Sequence, residues 1–202
     1  MTTAPARPRS LTPLIAIFLI ALAPVVLALL AYYVPALGLR PAIQTQYGQL
    51  VDPQRPIPDL NLRDSQGQAY DLNQLKGQWL LISTGPGACP ESCVRSLFVL
   101  RNSHASQGKN VDRLERILFV TDGAPIAPVV GEAYVGTHVL RADPAQLAAW
   151  LAPGASDPAA ALASGMWIVD PLGHLMMQFP DGKDPEGVRD DIRALLKNSR
   201  IG

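Results

Sequence analysis

The hydrophobic pattern of the chain changes character along its length. From Leu14 to Val34 it reads LIAIFLIALAPVVLALLAYYV, without one charged residue. A helix needs about 20 consecutive apolar residues to cross the hydrocarbon core of a bilayer, and this run supplies them. Pro24 is tolerable inside a membrane helix. Tyr32 and Tyr33 stand at the distal end, where aromatic side chains favour the headgroup region. A soluble core helix would show polar positions on one face. A cleaved signal peptide would have a shorter run, about 7–15 residues, and a small-residue cleavage site. The pattern predicts one transmembrane helix over residues 14–34, after a short segment of residues 1–13.

Beyond it, residues 35–57 read as a tether, with Pro35, Pro41, Pro53, Pro56 and the following Pro58 opposing regular structure. A domain over residues 58–202 follows. Asp59 to Asp64 alternates with the strand period, the turn Ser65–Gly67 comes next, and Ala69 to Leu72 reads as a second short strand. Trp79–Ser83 and Ile117–Asp122 are short apolar runs of the kind found in buried central strands. A helix is expected to start with Pro90 at its first position, presenting Val94, Leu97 and Phe98 on one face. Asp143-Pro144 caps a short helix carrying Leu147, Trp150 and Leu151. Met166 to Phe179 reads as a hairpin turning at Pro171 to His174. Asp184-Pro185 opens a last helix with Val188, Ile192, Leu195 and Leu196 on its apolar face. Strands alternating with helices, plus a late antiparallel hairpin, predict an α/β fold with a mixed sheet.

Charge narrows the function classes. Basic and acidic residues balance at 17 each in 202 residues, so the basic surface that nucleic acid requires is absent. Arg7, Arg9 and the α-amino group precede the apolar helix, while Arg40 and Arg55 follow at greater distance. The positive-inside rule then puts the N-terminus in the cytoplasm and the domain across the membrane.

The chemistry lies in the two cysteines, Cys89 and Cys93, in the sequence Gly85-Pro-Gly-Ala-Cys-Pro-Glu-Ser-Cys93. A sulfur at a helix N-terminus sees the positive end of the dipole and unpaired N–H groups. Cys89 is therefore expected to have a lowered pKa and to be the more reactive thiol. Cys93 follows one turn later, an axial rise of ~6 Å that a disulfide tolerates. Two converging thiolates also suit Cu(I), whereas zinc usually takes four ligands. A c-type haem would need Cys-x-x-Cys-His. The plain alternative is a permanent structural disulfide, though closing so short a loop stabilises a fold little.

Several segments together resemble the thioredoxin superfamily and, within it, the Sco/SenC family of membrane-tethered copper proteins that assist cytochrome c oxidase assembly. They are Pro58-Asp-Leu-Asn-Leu, Leu75-Lys-Gly-Gln-Trp-Leu-Leu, Cys89-Pro-Glu-Ser-Cys93 and Ile168-Val-Asp-Pro-Leu-Gly, in a resemblance running from Pro56 to Ser199. It implies a thioredoxin-like fold, an inner-membrane anchor in a Gram-negative bacterium and a periplasmic domain. It also implies Cu(I) or redox chemistry at Cys89 and Cys93, and oxidase subunits or other assembly factors as partners. The family's third ligand, a histidine shortly before the Ile168-Val-Asp strand, has no counterpart in Ala159–Trp167. The cis-proline that thioredoxins place there is missing too, and Val94 stands where Sco proteins have proline. Met166, a thioether on the loop that faces the cysteines in this fold, is the candidate third metal ligand. His138 and His174 are weaker candidates, and His104 lies too far along its helix. Three functions follow: a Cu(I) chaperone, a thiol–disulfide oxidoreductase in which Cys89 attacks and Cys93 resolves, and a non-catalytic assembly factor.

Overall fold

An apolar run with no polar face forms a helix that is apolar all round, and α1 (Thr12–Tyr33) has that character. The computed structural model describes residues 11–34 and 46–202, which belong to two units, residues 1–45 and 46–202. In the first, the large side chains of α1 from Leu14 to Leu30 are exposed. Mean hydropathy over Thr12–Ala31 is 3.0, so the helix is long and apolar enough to cross a membrane. The N-terminal residues 1–10 and the tether residues 35–45 lie outside the described residues.

The second unit is built on one eight-stranded mixed sheet. Its strands in chain order are β1 (Gln49–Pro56), β2 (Leu62–Arg63), β3 (Ala69–Tyr70), β4 (Trp79–Gly85), β5 (Leu114–Val120), β6 (His138–Arg141), β7 (Met166–Val169) and β8 (His174–Phe179). Across the sheet the order is β1-β8-β7-β4-β5-β6-β2-β3. β4, β5 and β6 are parallel, whereas β7, β8 and β1 run antiparallel to their neighbours. Every residue of β4 is buried, as its unbroken apolar run requires of a central strand covered on both faces.

Helices cover both faces. On one lie α2 (Glu91–Ala105) and α6 (Pro185–Asn198), which bring Leu97, Leu100, Val188, Ile192 and Leu196 onto Leu81, Leu118 and Ile168. On the other, α4 (Pro144–Leu151) and α5 (Pro158–Leu162) set Leu147, Trp150, Leu151 and Leu162 against Leu80, Ile82, Ile117 and Phe119. Another short helix, α3 (Pro128–Ala133), precedes β6. The sequence Asp-Pro starts three of these helices. Asp143, Asp157 and Asp184 each accept hydrogen bonds from amides of the first turn, while the proline takes the position whose N–H would be unpaired.

Two expectations are corrected. The stretch Gln49–Pro56, read as part of a tether, is strand β1 and pairs with β8 through Gln49–Gln178, Leu50–Met177, Arg55–Leu175 and Pro56–His174. Proline is tolerated there because β1 is an edge strand bonded on one side only, and the register breaks between Leu50 and Arg55, around Pro53. The chain just before it is tied down as well. The buried carboxylate of Asp191 accepts the N–H groups of Tyr47 at 3.1 Å and Gly48 at 2.7 Å, and the Tyr47 hydroxyl accepts the N–H of Asp184. The second correction is to the start of α2: Pro90 is its N-cap, and Glu91 is the first helical residue.

Candidate functional site

Strand β4 ends at Gly85, and the chain must turn within a few residues to begin α2. A carbonyl-to-amide bond from Pro86 to Cys89 closes that turn at 3.0 Å. Asp122, just past the end of β5, braces it from outside: its Oδ1 accepts the N–H of Gly87 at 2.8 Å and that of Ala124 at 3.3 Å. The Ala127 N–H donates to the Gly87 carbonyl at 2.9 Å. Gly87 has to lack a side chain, because a Cβ would stand 2.5 Å from the carbonyl oxygen of Ala124. Arg141 in β6 holds the bracing loop by donating to the carbonyls of Asp122 and Ala124, both at 2.8 Å.

The turn delivers Cys89 to Cys93. The two form a disulfide with their Cα atoms 5.0 Å apart. Cys89 has a φ of +43°, the one non-glycine residue in the left-handed region among the described residues. Such a conformation costs an L-residue about 1–2 kcal/mol, and the braced turn holds it. Both cysteines are buried: Cys89 is 5% exposed and Cys93 1%. Gly85 leaves room for the bridge, since a Cβ there would lie 3.1 Å from Cys93 Sγ.

Facing the disulfide is the loop that leads into β7. Gly165 directly precedes β7 and is held by its carbonyl, which accepts from Thr84 N–H at 3.3 Å and Ser83 Oγ at 3.4 Å. Thr84 Oγ1 donates to the Leu162 carbonyl at 2.6 Å. Gly165 also has a packing reason to be glycine. The indole of the fully buried Trp167 fills the space of its missing side chain, 1.8 Å from an ideal Cβ.

The structure brings Cys89, Cys93 and Met166 into one buried cluster, with Met166 fully buried at the first position of β7. The histidines go elsewhere. His138 lies on β6, with Nδ1 3.3 Å from the Tyr70 hydroxyl and Nε2 3.3 Å from Glu115. His174 sits beside Asp170 at 3.5 Å, and His104 is in the last turn of α2. Among the described residues no three His, Cys, Asp or Glu side chains converge as metal ligands would. Sequence reading missed the brace of Asp122 and Arg141 and the Gly165–Trp167 contact. Gly-Pro-Gly at residues 85–87 was the available sign of a tight turn, but nothing in a linear pattern couples Arg141 to it.

Comparison with known proteins agrees with this architecture. A family profile described as "Transmembrane-like, thioredoxin-like, C-terminal domain" matches residues 79–199. A protein of Stutzerimonas stutzeri named "Putative copper-binding protein" is 30% identical over 177 residues, covering 83% of this chain and 85% of its own length. Among solved structures, yeast Sco1 with copper bound superposes with a TM-score of 0.55 at 18% identity, over 74% of this chain and 96% of that one. A thiol:disulfide interchange protein from Bacteroides sp. gives 0.53 at 12% identity, over 73% and 91%. At such identities the last two show a shared thioredoxin-like fold, and a fold by itself does not choose between their chemistries.

Proposed function

Because the chain belongs to the transmembrane-like, thioredoxin-like C-terminal domain family, we propose that it is a membrane-anchored, Sco-like assembly factor for respiratory cytochrome c oxidase that takes Cu(I) on reduced Cys89 and Cys93. The proposal places α1 in a bacterial inner membrane, with the N-terminus cytoplasmic and the domain periplasmic. One observation carries the copper reading. Met166, a soft thioether donor at the first position of β7, belongs to the same buried core as the Cys89–Cys93 bridge of the strand-to-helix turn, as does Met177 of β8. Thiolate and thioether ligands select Cu(I) over harder ions. The Stutzerimonas stutzeri relative named "Putative copper-binding protein", matched along most of both chains, adds to it.

The chain's own residues set the order of events. A donor dithiol gives two electrons and two protons to the bridge, is itself oxidised to a disulfide, and leaves Cys89 and Cys93 as thiols. Cu(I) then replaces the thiol protons, because thiolate is the ligand form. Cys89 is the more exposed of the two residues and so the one an incoming thiolate attacks in this scheme, but at 5% exposure the braced turn must open first. Anaerobic titration of the reduced protein with Cu(I) against a competing chelator tests this. Affinity should fall in Cys89→Ser and, less steeply, in Met166→Leu. If Cys89→Ser binds as tightly as the native chain, copper handling is rejected.

A second reading, a thiol–disulfide oxidoreductase of general periplasmic redox, is favoured by the closed bridge itself. It requires a Cys89 thiol titrating below the ordinary value near 8.5 and turnover of a disulfide substrate. Replacing both cysteines with serine and still finding normal oxidase assembly would leave docking alone as the role.

A further inference from the structure

Lys183, in the turn between β8 and α6, is 9% exposed, which is unusual for a lysine. Its Nζ donates to the carbonyl of Ser164, which also accepts from Ser96 Oγ at 3.4 Å. An ammonium has three donors, and this bond uses one. No carboxylate among the described residues forms an ion pair with it. Asp181 is near enough to act on its charge but not to pair with it, and burial pulls its pKa below the ordinary lysine value. Burying a charge without a partner is costly unless a counter-charge arrives from elsewhere.

There is room for one. Lys183 lines a cleft of about 300 Å³ together with Ser92, Arg95, Ser96, Ser164 and Gly182. The cleft runs along the first two turns of α2, a 15-residue helix whose opening amides have no intrahelical acceptor and carry the positive end of its dipole. Glu91 and Arg95 at the rim neutralise each other across 2.9 Å. The charged side chains that line the cleft, Glu91, Arg95 and Lys183, therefore sum to one positive charge, with Asp181 acting on Lys183 from outside the lining.

From this geometry we propose that the cleft binds a carboxylate, received by the Lys183 ammonium and the opening turn of α2. One net charge matches a monoanion rather than a phosphate dianion. The site adjoins the helix that carries Cys93 but does not depend on which chemistry the cysteines perform.

The test titrates the full chain in detergent with acetate and, separately, with a short neutral-flanked peptide bearing one glutamate. Amide resonances of Ser92, Ser96 and Ser164 report binding. Saturable shifts are expected with acetate. Lys183→Met should weaken binding by about tenfold or more, the usual loss for a charge-assisted hydrogen bond, and Lys183→Arg should retain most of it. In the unaltered chain, saturating acetate should raise the titration midpoint of the Lys183 ammonium, a readout that survives even if Lys183→Met fails to fold. Saturation by acetate alone assigns the site to a free carboxylate, and saturation by both probes to one carried on a chain. Shifts that never saturate with either probe, or that saturate equally in Lys183→Met, would overturn the proposal.

Discussion

Gly165 offers the sharpest test of how the loop facing the disulfide is held. A methyl group there would stand 1.8 Å from the Trp167 ring, with two further ring atoms at 2.3 and 2.7 Å. Ordinary carbon contacts are about 3.5–4.0 Å, so ring and loop must separate by nearly 2 Å. Trp167 is fully buried on β7, which lies between β4 and β8. If the ring moves, the core on the α4 face is overpacked, at about 1–3 kcal/mol. If the loop moves, the bonds from Thr84 N–H and Ser83 Oγ to the Gly165 carbonyl go, at about 1 kcal/mol each. Alanine restores about 0.4–1 kcal/mol by restricting the unfolded chain. The net cost of Gly165→Ala is then about 1–2 kcal/mol, a fall in Tm of roughly 2–8 °C for a domain of this size. Thermal unfolding followed by near-ultraviolet circular dichroism measures it. Trp167→Leu destabilises the domain by itself, but removing the ring should shrink the added penalty of Gly165→Ala to below about 1 kcal/mol. An unchanged Tm in Gly165→Ala, or the same penalty in both backgrounds, would refute the contact as the reason for glycine.

Three other outcomes follow from named bonds. Asp122→Ala removes the acceptor that holds Gly87, so reduction of the disulfide by dithiothreitol should accelerate, up to about tenfold if one charge-assisted bond is lost; an unchanged rate would mean the turn holds itself. Asp191→Ala orphans the amides of Tyr47 and Gly48, and should cost about 2–3 kcal/mol and open the chain near those residues to limited proteolysis. Burial, and then Arg116, hold His104 below its ordinary value of 6.5. Between the folded value and 6.5 the unfolded chain binds more protons, so stability should fall as pH drops through that window and stay flat above it. His104→Asn should flatten the acid limb, as urea unfolding across that range would show.

What the sequence determined by itself is what local chemistry dictates. A run of some twenty apolar residues without a polar face forms a helix that is apolar all round and long enough to cross a bilayer. Asp-Pro ahead of a sustained apolar face at helical spacing starts α4 and α6, whereas Asp52-Pro53 and Asp170-Pro171, which lack one, start none. The buried strands β4 and β5, the hairpin of β7 and β8 and the strand-to-helix position of Cys89 and Cys93 were legible for the same reason. Only the tertiary structure decided matters that depend on distant partners. Residues 49–56 are rich in proline and looked like tether; they become a strand because the edge at β8 accepts a neighbour on one side only. Cys89 was expected as the activated thiol at the helix start. The fold buries it in a bridge with Cys93, held by an aspartate 33 residues later and, through the loop of that aspartate, by Arg141. No periodicity encodes such a contact, because it exists only once β4, β5 and β6 lie side by side.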